Sequence, residues 1–90
     1  MKCRIIQIAP DSGKAYILEK GLTHIGRSVD NEIQLMYDQI SRRHAELDNA
    51  EDECVLKDHG SANGTSVNGG KIKETRLHHG DEIKIGECVL

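Results

Sequence analysis

Apolar residues recur at every second position in short runs along this chain, and polar, turn-forming residues separate the runs. A period of two is typical of β-strands, because successive side chains of a strand point to opposite faces. The pattern predicts about eleven short strands, at residues 1–8, 14–19, 22–25, 33–35, 44–47, 54–56, 65–67, 71–73, 75–77, 82–85 and 88–90. So many short strands indicate an all-β fold, a β-sandwich of two twisted sheets with antiparallel or mixed strands.

Two hairpins are predicted within this pattern. Residues 1–8 should pair with 14–19 across the turn at 10–13, and 44–47 should pair with 54–56. A helix over 42–55 is the competing interpretation of the second pair. Asn49 interrupts that segment, and apolar residues are spaced by two on both sides of it, which favours strands.

The composition indicates one domain spanning residues 1–90 with an aliphatic core. The chain has 90 residues, no Phe, no Trp and two Tyr, whereas Ile, Leu and Val number 10, 7 and 4. A chain of this length buries a single compact core. With so few aromatic rings, the base stacking by which proteins hold single-stranded nucleic acid is nearly excluded.

Net charge and cysteine content limit both the kinds of partner and the cellular location to be expected of this protein. The formal net charge is −3, which argues against a general nucleic-acid or membrane-surface binder, because such proteins depend on a net positive field. The three cysteines are odd in number and lack short spacings, and no signal-like apolar segment opens the chain. We therefore expect a cytoplasmic, reducing location. No apolar run approaches membrane-spanning length.

Three polar, turn-rich segments carry the candidate chemistry, at residues 25–27, 41–44 and 63–69. Together they contain three arginines, three hydroxyls and two amides: Arg27, Arg42, Arg43, Ser41, Thr65, Ser66, Asn63 and Asn68. The planar fork of arginine matches phosphate oxygens two at a time, and hydroxyl, amide and turn N–H groups add further donors. This set of side chains is suited to binding a phosphate group.

At these segments the sequence resembles the forkhead-associated (FHA) domain family, whose motifs G-R, S-x-x-H, N-G-T and N-G occur here in order. The resemblance implies a SMAD/FHA-like sandwich that binds phosphothreonine peptides. The implied partner is a phosphothreonine-containing protein or peptide, such as a kinase or a kinase substrate, with neither nucleic acid nor membrane. The alternative is an interaction or assembly module of the same fold that works without phosphate.

The resemblance also implies a role for individual residues. Arg27 would bind the phosphate through its fork, Ser41 through its hydroxyl, and Arg42 as a further polar contact. Asn63 would contact the peptide backbone next to the phosphothreonine. Ala62 departs from the threonine or serine frequent at its position, which leaves only its backbone N–H for the phosphate. The residues implied to support the site are Gly26, His44, Gly64, Thr65 and Asn68, with His44 bracing the loop around Ser41.

The sequence disfavours three other chemistries. Ser41, His44 and either Asp38 or Asp58 contain the residue types of a hydrolase triad, but no G-x-S-x-G turn accompanies them. Residues 60–66 superficially suggest a nucleotide P-loop but lack its lysine. Five histidines and three cysteines lack zinc-ligand spacing. We therefore expect neither an enzyme nor a metal or cofactor site.

The last predicted strand is short for the family, whose sheet normally closes with a fuller strand beyond the position of Leu90. The resemblance therefore implies one of two cases: either the domain is minimal, or the sequence is a piece cut from a longer protein at its C-terminal end.

Overall fold

The computed structural model describes residues 3–6, 13–50 and 53–90. These residues form eleven strands and contain no helix. The strands are β1 (Cys3–Ile6), β2 (Ala15–Leu18), β3 (Gly21–Gly26), β4 (Ile33–Gln34), β5 (Ala45–Asn49), β6 (Cys54–Asp58), β7 (Thr65–Val67), β8 (Gly70–Ile72), β9 (Glu74–Arg76), β10 (Ile83–Ile85) and β11 (Cys88–Val89). The all-β prediction is confirmed, as are the positions of the strands to within a few residues.

The strands form a five-stranded sheet in the order β4-β3-β5-β6-β9, a four-stranded sheet in the order β11-β10-β7-β8, and the ribbon β1-β2. All pairs are antiparallel except β3 with β4, so the larger sheet is mixed. Both predicted hairpins are confirmed, with Cys3 opposite Leu18 and Ala45 opposite Asp58. The ends of the first predicted strand, and most of the turn after it, lie outside the described residues.

The core between the sheets is aliphatic, as predicted. Side chains alternate between buried and solvent-facing along β5 and β6, so each strand gives one face to the core. The fully buried aliphatic side chains include Ile25, Ile33, Leu35, Ile40, Leu47, Leu56 and Ile85. The thiols of Cys54 and Cys88 are buried among them, and Tyr16 and Tyr37 pack against the cluster from its margin.

Asn68 and Gly69 form the turn between β7 and β8. Both have positive φ, 51° and 85°, the conformation that a two-residue hairpin turn needs and that the N-G dipeptide predicted. The side-chain Nδ2 of Asn68 also donates to Oδ1 of Asp81 at 2.9 Å, and the side-chain Oδ1 of Asn68 accepts from the backbone N–H of Glu82 at 2.9 Å. Hydrogen bonds from the His78 backbone and the Asn68 side chain lower the pKa of Asp81. The second N-G dipeptide, at Asn63, lies in the loop before β7.

Three loops meet at one end of the five-stranded sheet: residues 27–32 after β3, 35–44 after β4, and 59–64 after β6. Backbone and side-chain hydrogen bonds join the first to the second and the second to the third. The sandwich therefore brings residues 25–27, residues 41–44 and the start of the third polar segment, residues 63–64, to one place, whereas Asn68 and Gly69 lie at the far end of β7. The described residues contain no helix long and apolar enough to cross a membrane.

Candidate functional site: a junction of three loops

Gly26 sets the distance between the first two loops. Beyond it, the Arg27 N–H donates to the Ser41 carbonyl at 3.0 Å and the Ser28 N–H donates to the Arg42 carbonyl at 3.1 Å. A Cβ atom on Gly26 would lie 2.2 Å from the Arg42 carbonyl oxygen. Only glycine allows this approach, and the adjacent arginine is therefore held directly against the second loop.

The side chain of Asn31 ties the same two loops together. Its Nδ2 donates to the carbonyls of Ser28 at 2.8 Å and Arg42 at 2.7 Å, and the residue is buried. Sequence reasoning missed Asn31, since an asparagine in a polar loop normally indicates only a turn. Its role depends on a carbonyl eleven residues further along the chain.

Arg27 is exposed, and one nitrogen of its guanidinium is already engaged. Nε donates to the Ile40 carbonyl at 3.0 Å. Among the described residues, its two terminal nitrogens have no hydrogen-bond or ion-pair partner. The fork is thus oriented by the protein and left open for an anion, which suits the phosphate-binding role expected of Arg27.

Ser41 lies next to this fork and contacts the third loop. Its Oγ accepts a hydrogen bond from the Ala62 N–H at 3.0 Å. The hydroxyl hydrogen remains available for donation to a phosphate oxygen. The Ala62 N–H, which the sequence suggested as a phosphate donor, is directed at Ser41 in this structure.

The other two arginines differ in their surroundings. Arg43 is paired with Asp30, with Nη2 and Oδ2 2.9 Å apart. Hydrogen bonds from the Ser28 side chain and from Arg43 lower the pKa of this exposed carboxyl. Arg42 is exposed and has no ion pair in the described part of the chain. Arg27 and Arg42 are therefore the two arginines of these loops that have no ion pair in the described part of the chain.

His44 is fully buried beneath the loops and binds backbone groups through both ring nitrogens. The Ser41 N–H donates to Nδ1 at 3.1 Å, which makes Nδ1 an acceptor. In the neutral ring Nε2 then carries the hydrogen and donates to the Gly64 carbonyl at 2.8 Å. The imidazole thus joins the second loop to the third at the two segments that carry site residues.

Asp58, the last residue of β6, organises the third loop. Its carboxylate accepts hydrogen bonds from the Ser61 backbone and hydroxyl and from the Thr65 hydroxyl, and the Ser61 hydroxyl in turn accepts from the Gly64 N–H. Burial raises the pKa of Asp58, but the hydrogen bonds from Ser61 and Thr65 outweigh it, so the pKa is lowered. Sequence reasoning considered Asp58 only as a triad member and missed this role.

Asn63 and Gly64 complete the third loop. Asn63 is exposed and its Nδ2 donates to the Gln39 carbonyl at 2.8 Å, which leaves its Oδ1 for a peptide N–H. Gly64 has a φ of 85°, and a Cβ there would lie 2.3 Å from Cε of Lys71. The Lys71 chain therefore lies across Gly64 and adds a cation beside the loop that the motifs did not indicate.

The structure does not place Ser41, His44 and Asp58 in the geometry of a hydrolase triad. A triad requires the imidazole to face the serine Oγ, whereas His44 is engaged with the Ser41 N–H and the Gly64 carbonyl. Asp58 is occupied by Ser61 and Thr65. In the described residues no group of three or more His, Cys, Asp or Glu side chains could hold a metal ion.

A β-sandwich that holds an oriented arginine, a serine and an asparagine on three joined loops is the framework of a loop-based binding module. The chain belongs to the FHA domain family, whose profile matches residues 23–86. The glycogen accumulation regulator GarA of Mycobacterium tuberculosis is 36% identical over 86 residues, which cover 96% of this chain and 53% of GarA. The oxoglutarate dehydrogenase inhibitor of Corynebacterium jeikeium is 37% identical over 86 residues, covering 96% of this chain and 60% of that protein.

Solved FHA domains have the same fold. One from a study of phosphothreonine-dependent FHA domain interactions superposes with a TM-score of 0.94 at 32% identity, covering 99% of this chain and 92% of that one. The FhaA FHA domain, solved in complex with the intracellular domain of Rv3910, gives a TM-score of 0.91 at 34% identity, covering 96% and 93%. The chain thus spans little more than half the length of GarA and of the oxoglutarate dehydrogenase inhibitor.

Proposed function

We propose that this FHA domain binds phosphothreonine peptides and thereby mediates phosphorylation-dependent interactions between proteins. The observation that carries the proposal is the Arg27 fork, oriented by the Ile40 carbonyl and open to solvent beside Ser41. Ser41, Arg42 and Asn63 are the further proposed contacts. The FHA domain whose structure comes from work on phosphothreonine-dependent interactions supports the choice of ligand.

The selectivity for phosphate follows from local charge. Phosphorylation adds roughly −1.5 to −2 charges and three strong acceptors to a neutral side chain. Donors that the loops already hold in place engage this group at little ordering cost. The net charge of −3 does not oppose binding, because Arg27 and Arg42 act at short range and distant charges are screened.

We propose a binding role without catalysis, at an intracellular location where the partner is a kinase or a kinase substrate. The engagement of both His44 nitrogens with backbone groups supports the absence of a serine nucleophile. Curated relatives that match this chain are described as a regulator and as an enzyme inhibitor, and neither is itself described as an enzyme.

Calorimetric titration of one peptide in its phosphothreonine and unphosphorylated forms tests the proposal. We expect saturable binding of the phosphorylated form only. Replacing phosphothreonine with glutamate should also abolish binding, because one carboxylate lacks the third oxygen and the second charge. Equal binding of phosphorylated and unphosphorylated peptides would support the phosphate-independent assembly module instead.

A further inference from the structure

The side chain of Lys71 extends from the edge strand β8 past the start of β7 to the third loop. Lys71 pairs with Ser66 in the β7–β8 ladder, and Gly64 lies two positions before Ser66. A Cβ atom on Gly64 would lie 2.3 Å from Cε of Lys71 and 3.1 Å from its Nζ. The lysine stem therefore fills the space that a side chain at Gly64 would take, and its ammonium group lies against this loop.

This contact places a cation beside a proposed peptide contact. Asn63 directly precedes Gly64, and its Oδ1 remains for a peptide N–H. The Gly64 carbonyl accepts from Nε2 of His44 at 2.8 Å, so the backbone under Lys71 is held in place. Residues 59–64 contain no lysine or arginine of their own. Lys71 therefore supplies the positive charge at this side of the site.

Lys71 is exposed and forms no ion pair in the part of the chain that the structure describes. The Asp58 carboxylate accepts from the Thr65 hydroxyl, and Thr65 is fully buried. Ser66 is the next residue of the strand and points to the other face, together with its ladder partner Lys71. Asp58 thus lies on the inner side of β7 and Lys71 on the outer side.

The exposed acids Asp38 and Glu87 belong to segments on the opposite flank of the third loop. Gly86 precedes Glu87 and approaches the residue after Asp38, because a Cβ on Gly86 would lie 3.3 Å from the Gln39 carbonyl oxygen. Gly86 follows β10, and β10 and β8 lie on opposite sides of β7 in the sheet. Neither acid forms an ion pair with Lys71, so the ammonium group is left for a ligand.

We propose that Lys71 determines peptide specificity by selecting phosphothreonine peptides that carry an aspartate or glutamate close to the phosphothreonine. This inference rests on the proposed function. An extended peptide advances roughly 3.3 Å per residue, so a lysine beside the Asn63 contact reaches side chains within about three positions of the phosphothreonine. A lysine is a hydrated point charge on a flexible stem, which suits a single carboxylate at the margin of a site. Such marginal charges contribute more to specificity than to affinity.

The test uses a phosphothreonine peptide flanked by alanines, and variants with a single aspartate or its neutral isostere asparagine at each of the three positions on either side. Fluorescence anisotropy gives the affinity of each peptide. We expect aspartate to bind about three- to fivefold more tightly than asparagine, the upper range for an exposed ion pair. This preference should occur at one position, or at two neighbouring positions on the same side of the phosphothreonine.

Variants of the protein assign the preference to Lys71. Lys71→Met keeps an unbranched stem over Gly64 and removes the charge, so the ratio of the two affinities should fall to about one. The all-alanine phosphopeptide should lose less than about twofold. Lys71→Glu should reverse the preference, so that a lysine at the same peptide position binds more tightly than aspartate.

The matched control is Lys84→Met. Lys84 pairs with Ser66 from the other side, is exposed, and has no ion pair among the described residues. This variant removes the same charge two strands away from Lys71 and should keep the wild-type ratio. Circular dichroism verifies that each variant is folded.

Two results would overturn the proposal: equal affinities for aspartate and asparagine at every position of the peptide, or a preference that persists in Lys71→Met. An equal loss for all phosphopeptides in Lys71→Met would instead make Lys71 a contact of the phosphate. The all-alanine peptide with and without phosphate tests the proposed function separately. If phosphorylation of that peptide makes no difference, both proposals fail; if only the aspartate preference is missing, the role of Lys71 alone fails.

Discussion

The Nε atom of Arg27 lies 3.0 Å from the carbonyl oxygen of Ile40, a residue of the neighbouring loop. This hydrogen bond restricts the rotation of the guanidinium, and its two terminal nitrogens have no hydrogen-bond or ion-pair partner among the described residues. An arginine held in this way loses little conformational freedom when an anion binds. The protein thus uses one donor of Arg27 to orient the others.

Arg27→Ala is expected to weaken phosphothreonine-peptide binding by at least about 2 kcal/mol, since truncating one partner of a hydrogen-bonded charge pair costs that much. Arg27→Lys should lose most of this energy as well, because an ammonium cannot bond the Ile40 carbonyl and also present two parallel donors. Calorimetric titration measures both losses. Circular dichroism should be unchanged, because the side chain is exposed.

The control is Arg76→Ala, which removes an equally charged and exposed arginine that pairs with Glu53 at the other end of the sheet. Its affinity should remain within about twofold of the wild type, as expected for a surface ion pair remote from the ligand. Near-normal affinity in Arg27→Ala would place the phosphate site elsewhere.

Gly26→Ala is expected to destabilise the fold by at least about 2 kcal/mol, because the new Cβ would lie 2.2 Å from the Arg42 carbonyl and backbone must move to relieve the overlap. Chemical denaturation gives the free energy of unfolding. Gly70→Ala is the matched control, since a Cβ there would meet the Val67 carbonyl oxygen at 3.6 Å, an ordinary contact. Equal free energies of unfolding for the two variants would show that the close approach of Gly26 to the Arg42 carbonyl does not require glycine.

His44→Ala is expected to lower both thermal stability and phosphopeptide affinity. The Ser41 N–H and the Gly64 carbonyl would lose their partner, at about 1 to 3 kcal/mol each, and a cavity would remain at a fully buried position. Differential scanning calorimetry and peptide titration measure the two effects. His59→Ala, at an exposed histidine of the adjoining loop, should change neither. An unchanged melting temperature in His44→Ala would contradict the bracing role.

Asp58→Asn is expected to destabilise the domain by about 1 to 2 kcal/mol at neutral pH, because an amide cannot accept all the hydrogen bonds of Ser61 and Thr65. The lowered pKa of Asp58 also predicts a pH dependence. The folded carboxyl binds protons less readily than the unfolded one, so its stabilisation is complete above the ordinary pKa near about 4 and is lost as the pH falls through the lowered value.

Unfolding measured from pH 7 downward checks this dependence. The difference in stability between wild type and Asp58→Asn should shrink below about pH 4. Asp38→Asn, at an exposed residue of the second loop, controls for the general loss of a negative charge. A constant difference across the acid range would show that Asp58 does not act through its ionised form.

Phosphothreonine is expected to bind at least about fourfold more tightly than phosphoserine in the same peptide, because burying one methyl group contributes about 0.8 kcal/mol. The β-branched side chain also has less rotamer freedom to lose. Both affinities should fall as the pH drops below the second phosphate pKa near about 6 and the dianion is lost. Equal affinities for the two peptides across that range would exclude a methyl contact while leaving phosphate binding intact.

Local pattern was sufficient for much of this structure. Alternation of apolar residues located the strands, because the strand period is a local property of the backbone. The Asn68-Gly69 turn followed from the rare positive φ that these two residue types tolerate. The four motifs, taken in order, indicated the FHA family and the segments that would form its site.

Other features depend on residues distant in sequence that only the folded chain brings together. Asn31 bonds a carbonyl eleven positions away, and Lys71 covers Gly64 because β7 and β8 pair in one register. Arg42 and Arg43 are adjacent arginines, yet only Arg43 forms an ion pair with Asp30. Arg42 is exposed and has no ion pair in the described part of the chain. The spacing of apolar and polar residues along the chain does not indicate which of these distant pairs will form.

The sequence by itself determined the strand pattern, the aliphatic core and the presence of arginine, hydroxyl and amide donors suited to a phosphate group, since each follows from residue type and spacing. The tertiary structure decided which of these donors are oriented, as Arg27 is by the Ile40 carbonyl, and which are already paired, as Arg43 is with Asp30. The physical reason is that hydrogen bonds and ion pairs act over a few ångströms, and strand register sets which distant residues come within that range.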